Sequence, residues 1–364
     1  MPCASANFLH YDALELRAEI GPRKVVYIMA RKGICVAGNA IVDITYPIDV
    51  MPSSGQLVPI TGGAIRTTGG ALSNVIVDLA ILDPTMPLKA IGRIGKDAEG
   101  ELTKKVFGRY PNIDTSGMIE EGTTSFTLVF SENITKQRTF FTFGGAGDSF
   151  SEADFNWDTI DSEILHIGYI LLLKELDKTD DEYGTKMARL LASAKAHGLK
   201  TSIDVVTESG DRFKKLVPPA LKYTDYCVIN ESETQEITGV ELRDSQGVLH
   251  PENMEAALDA LFAMGVSTWC VIHCPEGGWG KDSEGMFHHL PSLKLPAGYI
   301  KGTVGAGDAY CSGVLLAAEK GESLDRGLLY GTAAASMTLR EPGATEGMDT
   351  IEKALENYRA ILGK

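Results

Sequence analysis

No stretch of this 364-residue sequence approaches the ~20 continuous apolar residues needed to cross a bilayer. The longest strongly apolar run, Ile164 to Leu173, is interrupted by His166 and Gly168 and reads as a buried strand. Residues 1–29 lack the apolar core and small-residue cleavage site of a signal peptide, and carry Glu15, Arg17, Glu19 and Arg23 instead. They read as an N-terminal extension, and a cytoplasmic location is expected. Positive charge is also short: 34 Lys and Arg stand against 49 Asp and Glu, for a net charge of -15. A surface of that sign repels phosphodiester backbones and anionic membranes, which argues against nucleic acid or membrane partners. Any anionic ligand must then be held by local devices: backbone amides, a helix N-terminus or a metal ion. The six cysteines are scattered through apolar sequence, as expected of reduced thiols. Cys270, His273 and Cys274 share one strand-like run with no second ligand pair downstream, so a zinc site is not expected. Internal repeats, heptads and low-complexity tracts are absent from the sequence.

What remains is a globular composition, 44% hydrophobic and 23% charged. Short runs rich in Val and Ile recur at residues 34–37, 88–91, 164–167, 201–205, 226–229 and 268–272, and read as parallel strands buried on both faces. Between them lie helical patterns: within residues 252–265, Met254, Ala257, Leu258, Leu261 and Phe262 follow helical spacing. The alternation predicts an α/β fold, a doubly wound, mainly parallel sheet with helices on both faces. Residues 45–68, with Pro47, Pro52 and Pro59, and residues 123–143, a hairpin around Ser131, Glu132 and Asn133, break it. They read either as a small β-sheet lying over the open edge of a domain spanning 30–364, a lid, or as decorated surface loops.

The segment richest in chemistry is Lys301-Gly-Thr-Val-Gly-Ala-Gly-Asp308, which runs into a helix with an apolar face of Ala306, Ala309, Tyr310, Gly313, Val314 and Ala317. Amides at Gly305, Ala306 and Gly307 would point from the helix N-terminus as an anion hole, and Asp308 in the first turn would accept a proton from an attacking hydroxyl. Taken alone, such a Gly-x-Gly-Asp is equally a turn and cap. Gly145-Ala-Gly-Asp148 repeats the tetrapeptide without a long helix behind it and reads as a decoy. Gly92 to Asp97 is too short, and lacks the Ser or Thr, to be a Walker A loop. Gly38-Asn39-Ala40 does not supply a dinucleotide-binding turn.

The segment ending at Asp308 resembles the C-terminal signature of the ribokinase-like (PfkB-type) carbohydrate kinases, usually Asp-Thr-x-Gly-Ala-Gly-Asp. Other landmarks of that family follow in order over roughly 310 residues: Val36 to Asp43, Gly69-Gly70-Ala-Leu-Ser-Asn74, Gly92 to Asp97, Asn230-Glu-Ser-Glu233, and Gly343-Ala344. The resemblance implies an ATP-dependent kinase acting on a hydroxyl of a small carbohydrate of the fructose, ribose or keto-deoxy sugar acid class. A nucleoside kinase on the same scaffold and a catalytically silent ligand sensor are the alternatives. It implies Asp308 as base with Gly305, Ala306 and Gly307 around the transferring group. Asp43, Gly69, Gly70 and Asn74 would hold the sugar, with Phe126 an apolar contact from the lid. Arg138 either reaches the substrate or pairs on the hairpin surface. Asn230, His273, Gly278, Thr303 and Thr332 would bind ATP, Glu233 would serve Mg²⁺, and a homodimer through the lid strands is implied. The sequence departs from the family at Gly302, which replaces the first Asp of the signature and argues against an optional monovalent cation. It departs again at His273 and Pro275 in the nucleotide loop, and at Thr332, where many relatives have Asn.

Overall fold

The computed structural model describes residues 31–207 and 210–363, so the extension over residues 1–29 lies outside the described residues. In chain order the strands are β1 (Ile34–Ala37), β2 (Ile41–Ile48), β3 (Ile65–Gly69), β4 (Leu88–Ile94), β5 (Ile113–Glu120), β6 (Ser125–Glu132), β7 (Arg138–Phe143) and β8 (Ile164–Ile170). They continue as β9 (Thr179–Asp180), β10 (Gly184–Thr185), β11 (Lys200–Val205), β12 (Tyr226–Asn230), β13 (Trp269–Cys274), β14 (Gly277–Asp282) and β15 (Phe287–Pro291). The α-helices are α1 (Ala71–Leu82), α2 (Ala98–Phe107), α3 (Lys186–Ala196), α4 (Phe213–Leu221), α5 (Glu231–Thr238), α6 (Met254–Ala263), α7 (Ala306–Glu319), α8 (Leu324–Thr338) and α9 (Ile351–Ile361).

All six apolar runs read from the sequence lie in one nine-stranded sheet, ordered β15-β14-β13-β12-β11-β8-β1-β4-β5. The seven strands from β13 to β5 are parallel, and β14 and β15 add antiparallel at the edge. The two-residue side-chain period explains why these runs are apolar throughout. In β1, Ile34 and Val36 join a core that includes Leu72 of α1, Val314 of α7 and Leu328 of α8. Cys35 and Ala37 join the opposite core, with Leu190 of α3, Val217 of α4 and Leu258 of α6. Each fully buried Val, Leu or Ile contributes about 1.5–3 kcal/mol, so the sheet is held from both sides. Strand order reverses at β1, whose neighbours are β4 and β8, and a doubly wound sheet opens its ligand crevice beyond the carboxyl ends of strands at such a reversal. Among the described residues no helix is long and apolar enough to cross a membrane.

The two irregular stretches form a separate four-stranded sheet, ordered β3-β2-β6-β7. Its first strand starts at Ile41, four residues earlier than expected, because β2 pairs in parallel with β6 from Ile41 through Ile48. Asp43 therefore lies inside the small sheet, six residues beyond the end of β1 at Ala37. The β6–β7 turn also falls later than expected, between Glu132 and Arg138.

One residue in the core runs against its surroundings. Asp78 of α1 is fully buried, and both its carboxylate oxygens lack a partner. Burial, with the charges of Asp308 and Glu346 added, pushes its carboxyl well above the usual value. The folded chain therefore keeps a proton there that the unfolded chain releases near pH ~4, and stability falls as pH rises above that point. Asp78→Asn is expected to raise the unfolding free energy by about 1–3 kcal/mol near neutral pH. The gain should shrink toward pH ~4, which urea melts at the two pH values will read.

Candidate active site

The site is built outward from the start of α7. Gly305 caps that helix with φ of 75°, and a Cβ at this position would lie 2.6 Å from Cβ of Ala344. Glycine satisfies both the left-handed backbone and the close approach. Amides of the first turn of α7 have no partner within the helix, as at any helix start. The Ala306 N–H reaches back to the Thr303 carbonyl at 3.4 Å.

Asp308 sits in that first turn, only 4% exposed. Its Oδ2 accepts from Asn74 Nδ2 of α1 at 2.8 Å and from the Tyr169 hydroxyl at 3.0 Å. Burial pushes the carboxyl up to about 6, although both donors pull it down. A carboxyl with that value is mostly ionised at neutral pH and still able to accept a proton. A mechanism with Asp308 as base predicts activity lost as pH falls through about 6, because protonation removes the acceptor; the acid limb of kcat/KM against pH measures it.

Asp308 opens onto a cavity of about 270 Å³ shared with Tyr169, Asp204, Glu233, His273, Gly305 and Gly307. Glu233 stands in the first turn of α5, where Asn230 and Glu233 form a reciprocal cap: Asn230 Oδ1 accepts from the Glu233 N–H and Glu233 Oε2 from the Asn230 N–H. Its Oε1 accepts from the Thr207 hydroxyl at 2.7 Å, and burial raises its carboxyl. Asp204, near the end of β11, is raised well above the usual range by burial, then by the charges of Glu233 and Asp308.

A larger cavity of about 620 Å³ adjoins this one through Asn230, His273 and Gly307, and Thr303, Tyr310 and Thr332 line it. The His273 ring stacks on Tyr310 with centroids 5.0 Å apart, and burial lowers its pKa to about 4, so it is neutral at physiological pH. Gly278 does not line either cavity. A Cβ there would sit 1.9 Å from the Tyr310 hydroxyl oxygen, so its part is to admit the ring that supports His273.

On the side of the small sheet, Asp43, Thr127 and Thr142 are in register across β2, β6 and β7 and share one face. Burial raises the Asp43 carboxyl, while Thr127 and the charge of Arg138 lower it. Gly69 lies against this carboxylate, and a Cβ on it would fall 2.7 Å from Asp43 Oδ2. Gly70, with φ of 81°, caps α1 and so starts the helix that carries Asn74. Phe126 alternates onto the opposite face from Asp43 and packs its ring against Phe143, 5.2 Å between centroids. Arg138 is exposed on the edge strand, its guanidinium 5.9 Å from the Phe140 ring.

This assembly of glycine loop, helix start and buried aspartate is matched, over residues 32–351, by the sequence description of the pfkB family carbohydrate kinases. The chain belongs to that family. A nucleoside kinase of Methanocaldococcus jannaschii is 24% identical to it, over 89% of this chain and 95% of that one. Among solved structures, ribokinase from Thermotoga maritima superposes with a TM-score of 0.73 at 20% identity, covering 92% of this chain and 100% of its own. Arabidopsis thaliana ribokinase, solved with ribose and ATP, gives 0.73 at 19% identity, over 90% and 98%. These similarities extend the family's fold to this chain. As a pfkB family kinase it is a phosphotransferase with a hydroxyl acceptor.

Two residues of this kinase's site went unread in the sequence. Asp204 carried a signal, an acid at the carboxyl end of a buried parallel strand, in a run assigned wholly to the core. Tyr169 carried none: its approach to Asp308 depends on a φ of 62° that residue type does not announce.

Proposed function

We propose that this pfkB family kinase transfers the γ-phosphoryl group of ATP to a hydroxyl of a small carbohydrate, of the fructose, ribose or keto-deoxy sugar acid class. The observation that carries the reading is the position of Asp308, buried at the helix start where the larger cavity meets the acidic one. ATP occupies the larger cavity between His273 and Thr332, with its phosphates toward Gly307. Asp308 takes the proton of the acceptor hydroxyl, and the amides of Gly305 and Gly307 stabilise charge on the group in flight, the Ala306 N–H being turned back to Thr303. Asp43 and Asn74 orient the sugar. The four-stranded sheet closes over it as a lid, excluding water that would compete as acceptor.

Magnesium suits the residues present. Asp204 and Glu233 are two buried acids in one cavity, and a hard cation relieves such a pair. Among the described residues no cluster of three or more His, Cys, Asp or Glu is arranged for a bare metal ion, which fits an ion held through waters and phosphate oxygens. Glu233 is the residue that would hold those waters, and the ion would neutralise phosphate charge. The Gly302 loop offers less to a monovalent cation, since a side chain there would meet the Pro342 carbonyl oxygen at 2.8 Å. Exposed Phe140, Phe141 and Phe143 on the edge strand β7 support a homodimer through the lid. The free thiols of Cys35, Cys227, Cys270, Cys274 and Cys311 support a reducing, cytoplasmic setting.

A nucleoside acceptor is the second reading, favoured by a cavity of about 380 Å³ beside Asn39 whose walls include Ile41, Phe143, Leu171, Leu172 and Leu216. Those apolar walls suit a base, whereas Asp148, Lys174, Asp177, Lys178 and Arg212, which also line it, suit the hydroxyls of a sugar. A coupled ADP-release assay over sugars, sugar acids and nucleosides separates the two. Highest kcat/KM on a sugar or sugar acid supports the first reading and on a nucleoside the second. No turnover with any acceptor would mark a ligand sensor and overturn both.

A further inference from the structure

Strand β8 ends in a segment of left-handed backbone. Tyr169 and Leu171 have φ of 62° and 83°, a left-handed backbone that L side chains adopt only when their surroundings hold them there. The surroundings do so. The Leu171 N–H donates to Asp177 Oδ1 at 3.1 Å, and Arg212 Nη1 donates to the Leu171 carbonyl at 2.9 Å. Arg212 also pairs with Asp177 Oδ2 at 2.9 Å, and Asn39 Nδ2 donates to the Leu172 carbonyl at 3.1 Å. What this enforced kink achieves is the aim of one side chain: the Tyr169 hydroxyl reaches Asp308 Oδ2 at 3.0 Å, the oxygen that also accepts from Asn74.

We propose that Tyr169 is a positioning residue for phosphoryl transfer, its hydroxyl fixing the Asp308 carboxylate by Oδ2 so that Oδ1 is the oxygen presented to the acceptor hydroxyl. The inference rests on the reading of Asp308 as base. Two donors on one carboxylate oxygen settle the orientation of the group, which a single donor would leave free to rotate, and both stabilise its ionised form. The other titratable groups facing Asp308 are Asp78 on α1, Asp204 on β11 and Cys311 on its own helix. Glu233 and His273 share its cavity. All are common to parent and variant, so a difference between them reports the phenol.

Tyr169→Phe removes the hydroxyl alone. It should lower kcat by about ten- to hundredfold, the range of one hydrogen bond to a charged group. KM for both substrates should stay within about threefold. The acid limb of kcat/KM should move up by about one pH unit, since a donor that favours the ionised carboxylate is gone. Replacing Tyr169 by 3-fluorotyrosine, a stronger donor of nearly the same size, should move the limb down, and it serves if the Phe variant does not fold. An unmoved limb in both substituted proteins, with Asp308→Asn inactive, would overturn the role of Tyr169 alone. Parent-like activity in Asp308→Asn would overturn the base, and the positioning residue with it.

Discussion

Asp308→Asn should lower kcat by about 10²–10⁴-fold, the usual contribution of a positioned general base. Asparagine matches the carboxylate in size, and its side-chain oxygen still accepts from Asn74 and Tyr169, so the fold of the first turn is kept. What it cannot do is take a proton from an alcohol. The loss should fall on kcat, while ATP affinity by calorimetry stays within about threefold, because the larger cavity, the one proposed for ATP, is lined by other side chains. A parent-like kcat would remove Asp308 from the mechanism.

Gly305→Ala should cost about 10²–10³-fold in kcat, the range for disturbing one donor of an anion hole. Two separate penalties meet there: φ of 75°, and a Cβ 2.6 Å from that of Ala344, with backbone of the same residue at 2.8 Å. Neither neighbour is a flexible side-chain end, so the loop carrying the amides must shift. Gly321→Ala is the control. Gly321 also has positive φ, 66°, but a Cβ there meets nothing within 4 Å, so it should lose stability and keep kcat. Equal activity of the two variants would mean that the geometry of the Gly305 loop does not matter to transfer.

The parallel core was legible because a sheet covered on both faces demands apolar residues at every position, and each of the six runs meets that demand. The Gly-Ala-Gly-Asp at the head of α7 was separable from its copy for a related reason. Residues 145–149 make only a short 3₁₀ turn, and Asp148 is drawn off by Lys174 at 3.0 Å, whereas a 14-residue helix stands behind Asp308. Less legible was everything that depends on which way a side chain turns. Phe126 and Asp43 sit in paired strands one register step apart, which puts them on opposite faces. Gly278 was read as a nucleotide contact from motif position, but its lack of a side chain serves Tyr310. The Tyr169 kink is set by Asp177, Arg212 and Asn39, distant in sequence, and no local pattern encodes it.

In the proposed reaction the phosphoryl group passes from ATP to an alcohol in a site closed to water. Phosphorus NMR of the enzyme with Mg²⁺, ATP and the acceptor preferred in the panel assay follows where the phosphorus goes. A phosphate monoester of the acceptor should appear one for one with ADP, with inorganic phosphate at background. ADP matched by inorganic phosphate, at a rate indifferent to the acceptor, would contradict it.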